Sequence, residues 1–386
     1  MYEKAIDFIR EIYGAEGFIP LHEPRFWGKE KQYVLDAIES TFVSSVGEYV
    51  NRFEKMICEI SGARFCVATV NGTAALHMAL MLAGVSPGDE VLTQAVTFVA
   101  TSNVISYCGA RPVFIDVDAD TMGMSPQKLE AFLKHSSQTA VDGSCRSRLT
   151  GKRISACVPM HTFGHPCRVD EIVEICARYN IVVIEDSAES LGSRYKTRQT
   201  GTFGKAGIYS LNGNKTVTCG GGGAIVTDDE DFAARAKHVT TTAKIPHPFE
   251  YIHDRIGYNY RLPNLNAALA CAQLEQLDGF VASKRLLAAK YAEFFGSIDI
   301  SFFMEPQEAR SNYWLNAVVL PDIKERDRFL AMTNKAGVMT RPIWRLTNML
   351  PMFEGCHSDG LETSLWLADR VVNIPSSVPK GSAFQG

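Results

Sequence analysis

The sequence is short of the features that mark several large protein classes. It has ten cysteines, but no C-x-x-C pair and no Cys/His cluster at ligand spacing. That excludes the common zinc frameworks, and the scattered thiols give no disulfide scaffold. No apolar run approaches the ~18 residues of a membrane-spanning helix. The opening MYEKAIDFIREIYG is charged and amphipathic and lacks the apolar centre of a secretory signal, so a cytoplasmic protein with reduced thiols and no metal is expected. The formal net charge of −4 provides no broad basic field for nucleic acid. No G-x-G-x-x-G follows a strand, which disfavours a dinucleotide site.

What is present is a rhythm. The chain has 386 residues, enough for one large core and a smaller domain. After an opening helix ending near Gly14 comes an extended arm, FIPLHEPRF, and then the helical GKEKQYVLDAIES. From Ala63 onward short apolar strands (RFCVATV, EVLTQAV, RPVFIDVD, ISACVPMHTF, IVVIEDSA, AGIYSL, GAIVTD) alternate with helical segments. That pattern predicts an α/β fold with a large, mostly parallel sheet. The stretch 265–295 reads as one long linker helix, followed by a smaller α+β C-terminal domain. The expected division is residues 1–40 for the N-terminal arm and helices, 41–265 for the large domain and 266–386 for the linker helix and small domain. The end, PKGSAFQG, is expected to fray.

Ligands of open α/β sheets sit at the carboxyl ends of strands, and several unusual residues fall there. Asn71-Gly72-Thr73 ends a strand and opens a helix, whose free amides and dipole suit a phosphate. Ser210 ends another strand, and Lys215 follows in a loop before the glycine run CGGGGA. Asp186 follows four apolar residues, an awkward place for a carboxylate without a cationic partner. Singly, each has an ordinary explanation as a helix cap, a turn residue or a surface charge. Together they match the needs of pyridoxal 5'-phosphate. Gly72, Thr73 and Ser210 can hold its phosphate, and Lys215 can bond its aldehyde. Asp186 can keep its ring nitrogen protonated, and Phe98 in VTFVAT can stack on its ring.

The ordered motifs NGTAALHMAL, GDEVLTQAVTFVATSN, GARPVFIDVD, VIEDSAESLGS, YSLNGNKTVTCGGGGAIVTDD and IGYNYRLPNLNAALACAQLE cover nearly the whole chain. They resemble the DegT/DnrJ/EryC1/StrS sugar aminotransferases. The resemblance implies the aspartate-aminotransferase fold, type I among pyridoxal enzymes, and a homodimer with active sites at the subunit interface. It implies that Lys215 and Asp186 are catalytic and that Gly72, Thr73, Ser210 and Phe98 bind the cofactor. Asn259 in GYNYR is implied to reach the phosphate from the neighbouring subunit. Glu189 stands where many members carry Gln or His, beside the cofactor's phenolic oxygen; Glu occurs there in perosamine-synthase-like branches. Arg168 replaces an Asp common in the family and is given no role.

The arm FIPLHEPRFWGKEKQYVLDAIESTFVSSVGEYVNRFE, with TTTAKIPHPFEYIHDRIGYNYR and TRPIWRLTNMLPMFEGC, resembles the LegC branch. That implies transfer of the amino group of L-glutamate to C-4 of a UDP-linked 4-keto-6-deoxy-N-acetylhexosamine, on the way to legionaminic acid or bacillosamine sugars. A GDP-linked 4-keto-6-deoxymannose is the alternative. Ser44, Ser45, His161, His165, Lys244, Arg341 and Trp344 are the candidates for the nucleotide sugar, with Lys244 or Arg341 matched to diphosphate. A same-fold sugar dehydratase would carry His in place of Lys215. A regulatory or binding protein of this fold would not need Lys215, Asp186 and Ser210 together.

Overall fold

The computed structural model describes residues 1–381; most of the terminal PKGSAFQG lies outside the described residues. The apolar runs form strands covered on both faces. Every residue of Ala206–Ser210 is buried, as is every residue of Val182–Asp186 except the first. Seven such strands make one sheet, in the spatial order Phe65–Thr69, Gly223–Thr227, Ala206–Ser210, Val182–Asp186, Ile154–Val158, Glu90–Gln94, Arg111–Ile115. Ala206–Ser210 through Arg111–Ile115 pair in parallel. Gly223–Thr227 is antiparallel to both its neighbours, so Phe65–Thr69 again points the same way as the parallel set. Six carboxyl ends therefore share one edge of the sheet, and the loops that leave them converge there.

Helices cover both faces, and their patterning explains their place. In Val169–Arg178, Val169, Ile172, Ile175 and Cys176 are buried, while Asp170 and Glu171 occupy the first turn and Arg178 the last. One stripe faces the core, and the charges complement the helix dipole.

The stretch expected to be one long helix is two, Asn264–Leu274 and Leu277–Ser297. Polar contacts hold the break. Glu275 Oε1 accepts Tyr33 Oη at 2.8 Å and Arg52 Nη2 at 2.5 Å, and Gln276 Nε2 donates to Glu30 Oε1 at 2.7 Å. Beyond the second helix lies a four-stranded sheet ordered Ser301–Phe302, Asn316–Val319, Val371–Ile374, Arg341–Pro342, antiparallel throughout. The first helix, Tyr2–Tyr13, packs here: Tyr2, Ile6 and Ile9 share a core with Tyr291, Phe295, Phe329 and Ile374. No helix among the described residues is long and apolar enough to cross a membrane.

Asp116, fully buried just past Arg111–Ile115, ties this region to the large sheet. Its carboxylate accepts the Thr363 and Ser364 amides, each at 2.8 Å, and the Ser364 hydroxyl at 2.6 Å, at the start of helix Glu362–Ala368. Asp116→Ala should lower the unfolding free energy by about 3 kcal/mol, since several buried donors lose a charged acceptor. Urea denaturation checks this; a loss below about 0.5 kcal/mol would show that the anchor is dispensable.

Candidate active site

A cavity of about 310 Å³ opens at the carboxyl edge of the sheet. Its anion end is built by a helix start. Asn71 is extended (φ −167°, ψ 169°), and its Oδ1 accepts the Ala74 amide at 2.7 Å. This caps helix Gly72–Leu82 and leaves its first amides, at Gly72 and Thr73, on the cavity wall. Gly72 is required by space: a Cβ there would lie 2.9 Å from Ser210 Cβ. The helix start thus sits directly against Ser210, and amides and hydroxyl face one spot.

Asp186 ends its strand, 4% exposed. Its Oδ2 accepts the Thr101 hydroxyl at 2.7 Å and its Oδ1 the Ala188 amide at 3.1 Å. Burial holds this carboxyl above the usual range, against the opposing pull of Thr101, Ala188, Lys215 and His161. A buried carboxylate with acceptor capacity to spare and no salt bridge calls for a cationic partner.

Lys215 projects from the loop after Ala206–Ser210. Its Nζ lies 3.3 Å from Glu189 Oε1 and 3.9 Å from the centroid of the Trp314 ring. Trp314 is fixed in turn by its Nε1, which donates to Asn214 O at 2.7 Å. Burial pushes Glu189 up to about 7, although Lys215 and the Phe163 amide pull it down. Phe98 is 51% exposed on the cavity wall, 6.3 Å from the Trp344 ring.

An amide-and-hydroxyl cradle, an under-satisfied buried carboxylate, an amine and an open aromatic face thus border one cavity. They fit a phosphorylated pyridine aldehyde. The cradle takes the phosphate, Asp186 the protonated ring nitrogen and Lys215 the aldehyde. The enclosed volume lies within the range of small-molecule sites, ~300–1,000 Å³.

Of the residues expected from sequence, Gly72, Thr73, Phe98, Asp186, Glu189, Ser210, Lys215 and Trp344 border this cavity. His161 and His165 do not, and their expected place at the substrate is corrected. His161 is fully buried. Its Nδ1 accepts the Cys167 amide at 3.2 Å, and its Nε2 meets Glu185 Oε2 at 3.1 Å. Glu185 also accepts the Gly201 and Gly204 amides, so this network braces the underlying loops. The His165 ring is fully buried with neither nitrogen hydrogen-bonded, between the rings of Phe303 and Tyr313.

Arg341 is exposed on an edge strand, held by Asn334 Oδ1 at 3.3 Å and Thr340 O at 3.2 Å, and does not border the cavity of its own chain. Ser44, Lys244 and Asn259 are exposed and Ser45 half-buried, all outside the cavity of their own chain. The Lys244 ammonium lies 4.1 Å from the Tyr251 ring centroid. Arg168 pairs with Asp118 and Asp120.

Sequence reasoning missed Thr101, Trp314 and the Phe163 amide. Thr101 sits one helical turn after Phe98, a spacing that could have revealed it. Trp314 comes from just before strand Asn316–Val319, far along the chain, and carries no local signal.

The model of the DegT/DnrJ/EryC1/StrS aminotransferase family matches residues 26–380. The GDP-perosamine synthase of Escherichia coli is 36% identical over 336 residues, 87% of each chain. That of Caulobacter vibrioides is 32% identical over 363 residues, 93% of each. Among solved structures, a DegT DnrJ EryC1 StrS aminotransferase from Brucella abortus superposes with a TM-score of 0.83 at 26% identity, covering 92% of each chain.

Two outcomes are expected. Thr101→Val keeps the shape but removes a donor to a charged acceptor. It should weaken cofactor binding at least about tenfold, read by titrating the cofactor-free protein. His165 bears on acid stability. Burial pushes it down to about 3, below the ~6.5 of an unfolded histidine. On unfolding, the chain takes up a proton that the folded state refuses, so stability is lost as pH falls from about 6.5 toward 3. His165→Leu should flatten that slope by about 1.4 kcal/mol per pH unit. Denaturation between pH 6.5 and 4.5 checks it.

Proposed function

This chain belongs to the DegT/DnrJ/EryC1/StrS aminotransferase family, whose members use pyridoxal 5'-phosphate, and we propose that it aminates C-4 of a nucleotide-linked 4-keto-6-deoxy sugar with glutamate as donor. A GDP-linked sugar of the 4-keto-6-deoxymannose type is put first. The observation that carries the reading is the meeting of Lys215, Asp186 and the Gly72/Thr73/Ser210 cradle around one cavity. The GDP choice draws on the perosamine synthases, which align over most of the chain, and on the Glu at position 189. It reverses the expected order of UDP before GDP. A UDP-linked N-acetylhexosamine is the second reading, favoured by the LegC-like segments at residues 18–54, 240–261 and 340–356.

When bound, the cofactor carries the amino group on its aldehyde carbon and draws electrons into its ring. The protein's part is to bind, orient and move protons. The helix start and Ser210 bind the phosphate, and Asp186 keeps the ring nitrogen protonated. Phe98 and Trp344 narrow the mouth and exclude water. Lys215 Nζ, as a free amine, would take a proton from the donor carbon that loses its amino group and, in the separate second half of the reaction, supply one to the sugar carbon that gains it, general acid–base work that contributes ~10²–10⁴-fold. Ser44, Ser45, Lys244 and Asn259, which lie outside the cavity of their own chain, are proposed to serve a neighbouring subunit's cavity in a homodimer. The hairpin carrying Lys244 offers exposed Phe249 and Tyr251 as apolar contact surface.

Lys215→Ala should lose the visible absorbance of the bound cofactor and at least about a thousandfold in turnover; retained turnover would sink the assignment. GDP-linked 4-keto-6-deoxymannose and a UDP-linked 4-keto-6-deoxy-N-acetylhexosamine, each assayed with glutamate, separate the two readings. A kcat/KM at least about tenfold higher with the GDP sugar is expected, and the opposite ratio would promote the UDP reading.

A further inference from the structure

An acid stands against the one amine that must be free to accept protons. Glu189 is 3% exposed. Its Oε2 accepts the Phe163 amide at 2.9 Å, and its Oε1 faces Lys215 Nζ at 3.3 Å. A costly backbone geometry presents that amide. Phe163 has φ 56° and ψ 15°, the left-handed region that bulky residues avoid. Gly164 follows at φ 95°, and a Cβ there would lie 1.9 Å from Asn312 Oδ1. The side-chain Nδ2 of Asn312 donates to Glu189 O at 2.9 Å. The turn, Asn312 and Glu189 therefore hold one another, with one carboxylate oxygen engaged by the backbone and the other turned to Lys215.

The charged groups facing the pair are few. Asp186, from the end of its strand, pushes Glu189 in the same direction as burial does, against Lys215 and the Phe163 amide. His22 on the N-terminal arm is half-buried and feels the charge of Lys215, and His161, fully buried, acts on Asp186. The Trp314 ring, which covers the ammonium, brings no charge of its own. The balance leaves the Glu189 carboxyl at about 7.

We infer that Glu189 is a second catalytic residue, which takes a proton from Lys215 when the amine must act as a base and returns it afterwards. The Nζ–H bond breaks and an Oε1–H bond forms, so ammonium and carboxylate become amine and carboxylic acid. The pair carries no net charge before or after, so the exchange needs neither a counter-ion nor a bridging water. A glutamine at this position could hydrogen-bond but could not hold the proton. The inference rests on the proton-shuttling role proposed for Lys215.

Its test does not depend on turnover. In the cofactor-free protein, Lys215 is trace-labelled with acetic anhydride across pH 5–11 and quantified by peptide mass spectrometry. Proton sharing predicts two rises separated by a plateau in the native protein, because the singly protonated pair spends part of its time as amine plus carboxylic acid. Glu189→Gln should show one rise. In the loaded enzyme, Glu189→Gln should lower kcat about 10²-fold and lose the pH limb near 7. KM for the nucleotide sugar should change less than about twofold, and Glu189→His should recover part of the limb. A single native rise that superimposes on that of Glu189→Gln would overturn the inference. If a variant fails to fold, the native profile alone decides. Absence of turnover with every nucleotide sugar would count against the proposed function and leave the labelling result standing.

Discussion

Two buried acids and one largely shielded amine govern the site. Asp186 and Glu189 are both buried, and Lys215 is the cation that faces Glu189. A carboxylate in such surroundings is costly unless a positive or proton-bearing group meets it. The site leaves this demand partly unmet at Asp186, where one hydroxyl and one amide are the donors. An unmet charge enclosed by a rigid sheet edge is a binding element, because a ligand that brings a protonated nitrogen relieves the desolvation cost that the fold imposes.

The rest of the architecture holds that unstable combination in place. Parallel strands deliver Asp186 and Ser210 to one edge, and the helix that starts at Gly72 brings its amides against Ser210. Trp314 and Trp344, from the chain beyond Ser297, close the other side. Trp314 lies on the Lys215 ammonium, and its indole is tied to Asn214 in the same loop. Asp116 anchors helix Glu362–Ala368 to the large sheet. A disturbance at either junction would reach Lys215 through packing, without touching it directly.

Much of this was legible in the sequence because each main feature is local. A strand, a sharp polar turn and a helix start are adjacent in the chain, and so Gly72, Thr73, Asp186, Ser210 and Lys215 could be placed by rhythm alone. The remainder depends on distance along the chain. Trp314 meets Lys215 across about a hundred residues, and no local pattern announces the contact. His161 and His165 misled for the complementary reason. MHTFGHP looks like a polar, ligand-facing loop, yet a cluster of backbone amides at Glu185 and two rings around His165 turn both histidines into the core. The break between Leu274 and Leu277 was hidden because both helices have helix-forming sequences, and only contacts with Glu30, Tyr33 and Arg52 set the boundary.

The most direct measurement of the central claim is chemical. The native protein, saturated with pyridoxal 5'-phosphate, is reduced with borohydride, digested and mapped by mass spectrometry. The phosphopyridoxyl mass is expected on the peptide carrying Lys215 and on no other, and Asp186→Asn should reduce its yield at limiting cofactor. Label on a different lysine, or none under saturating cofactor, would contradict the convergence of amine, acid and phosphate cradle on a single ring.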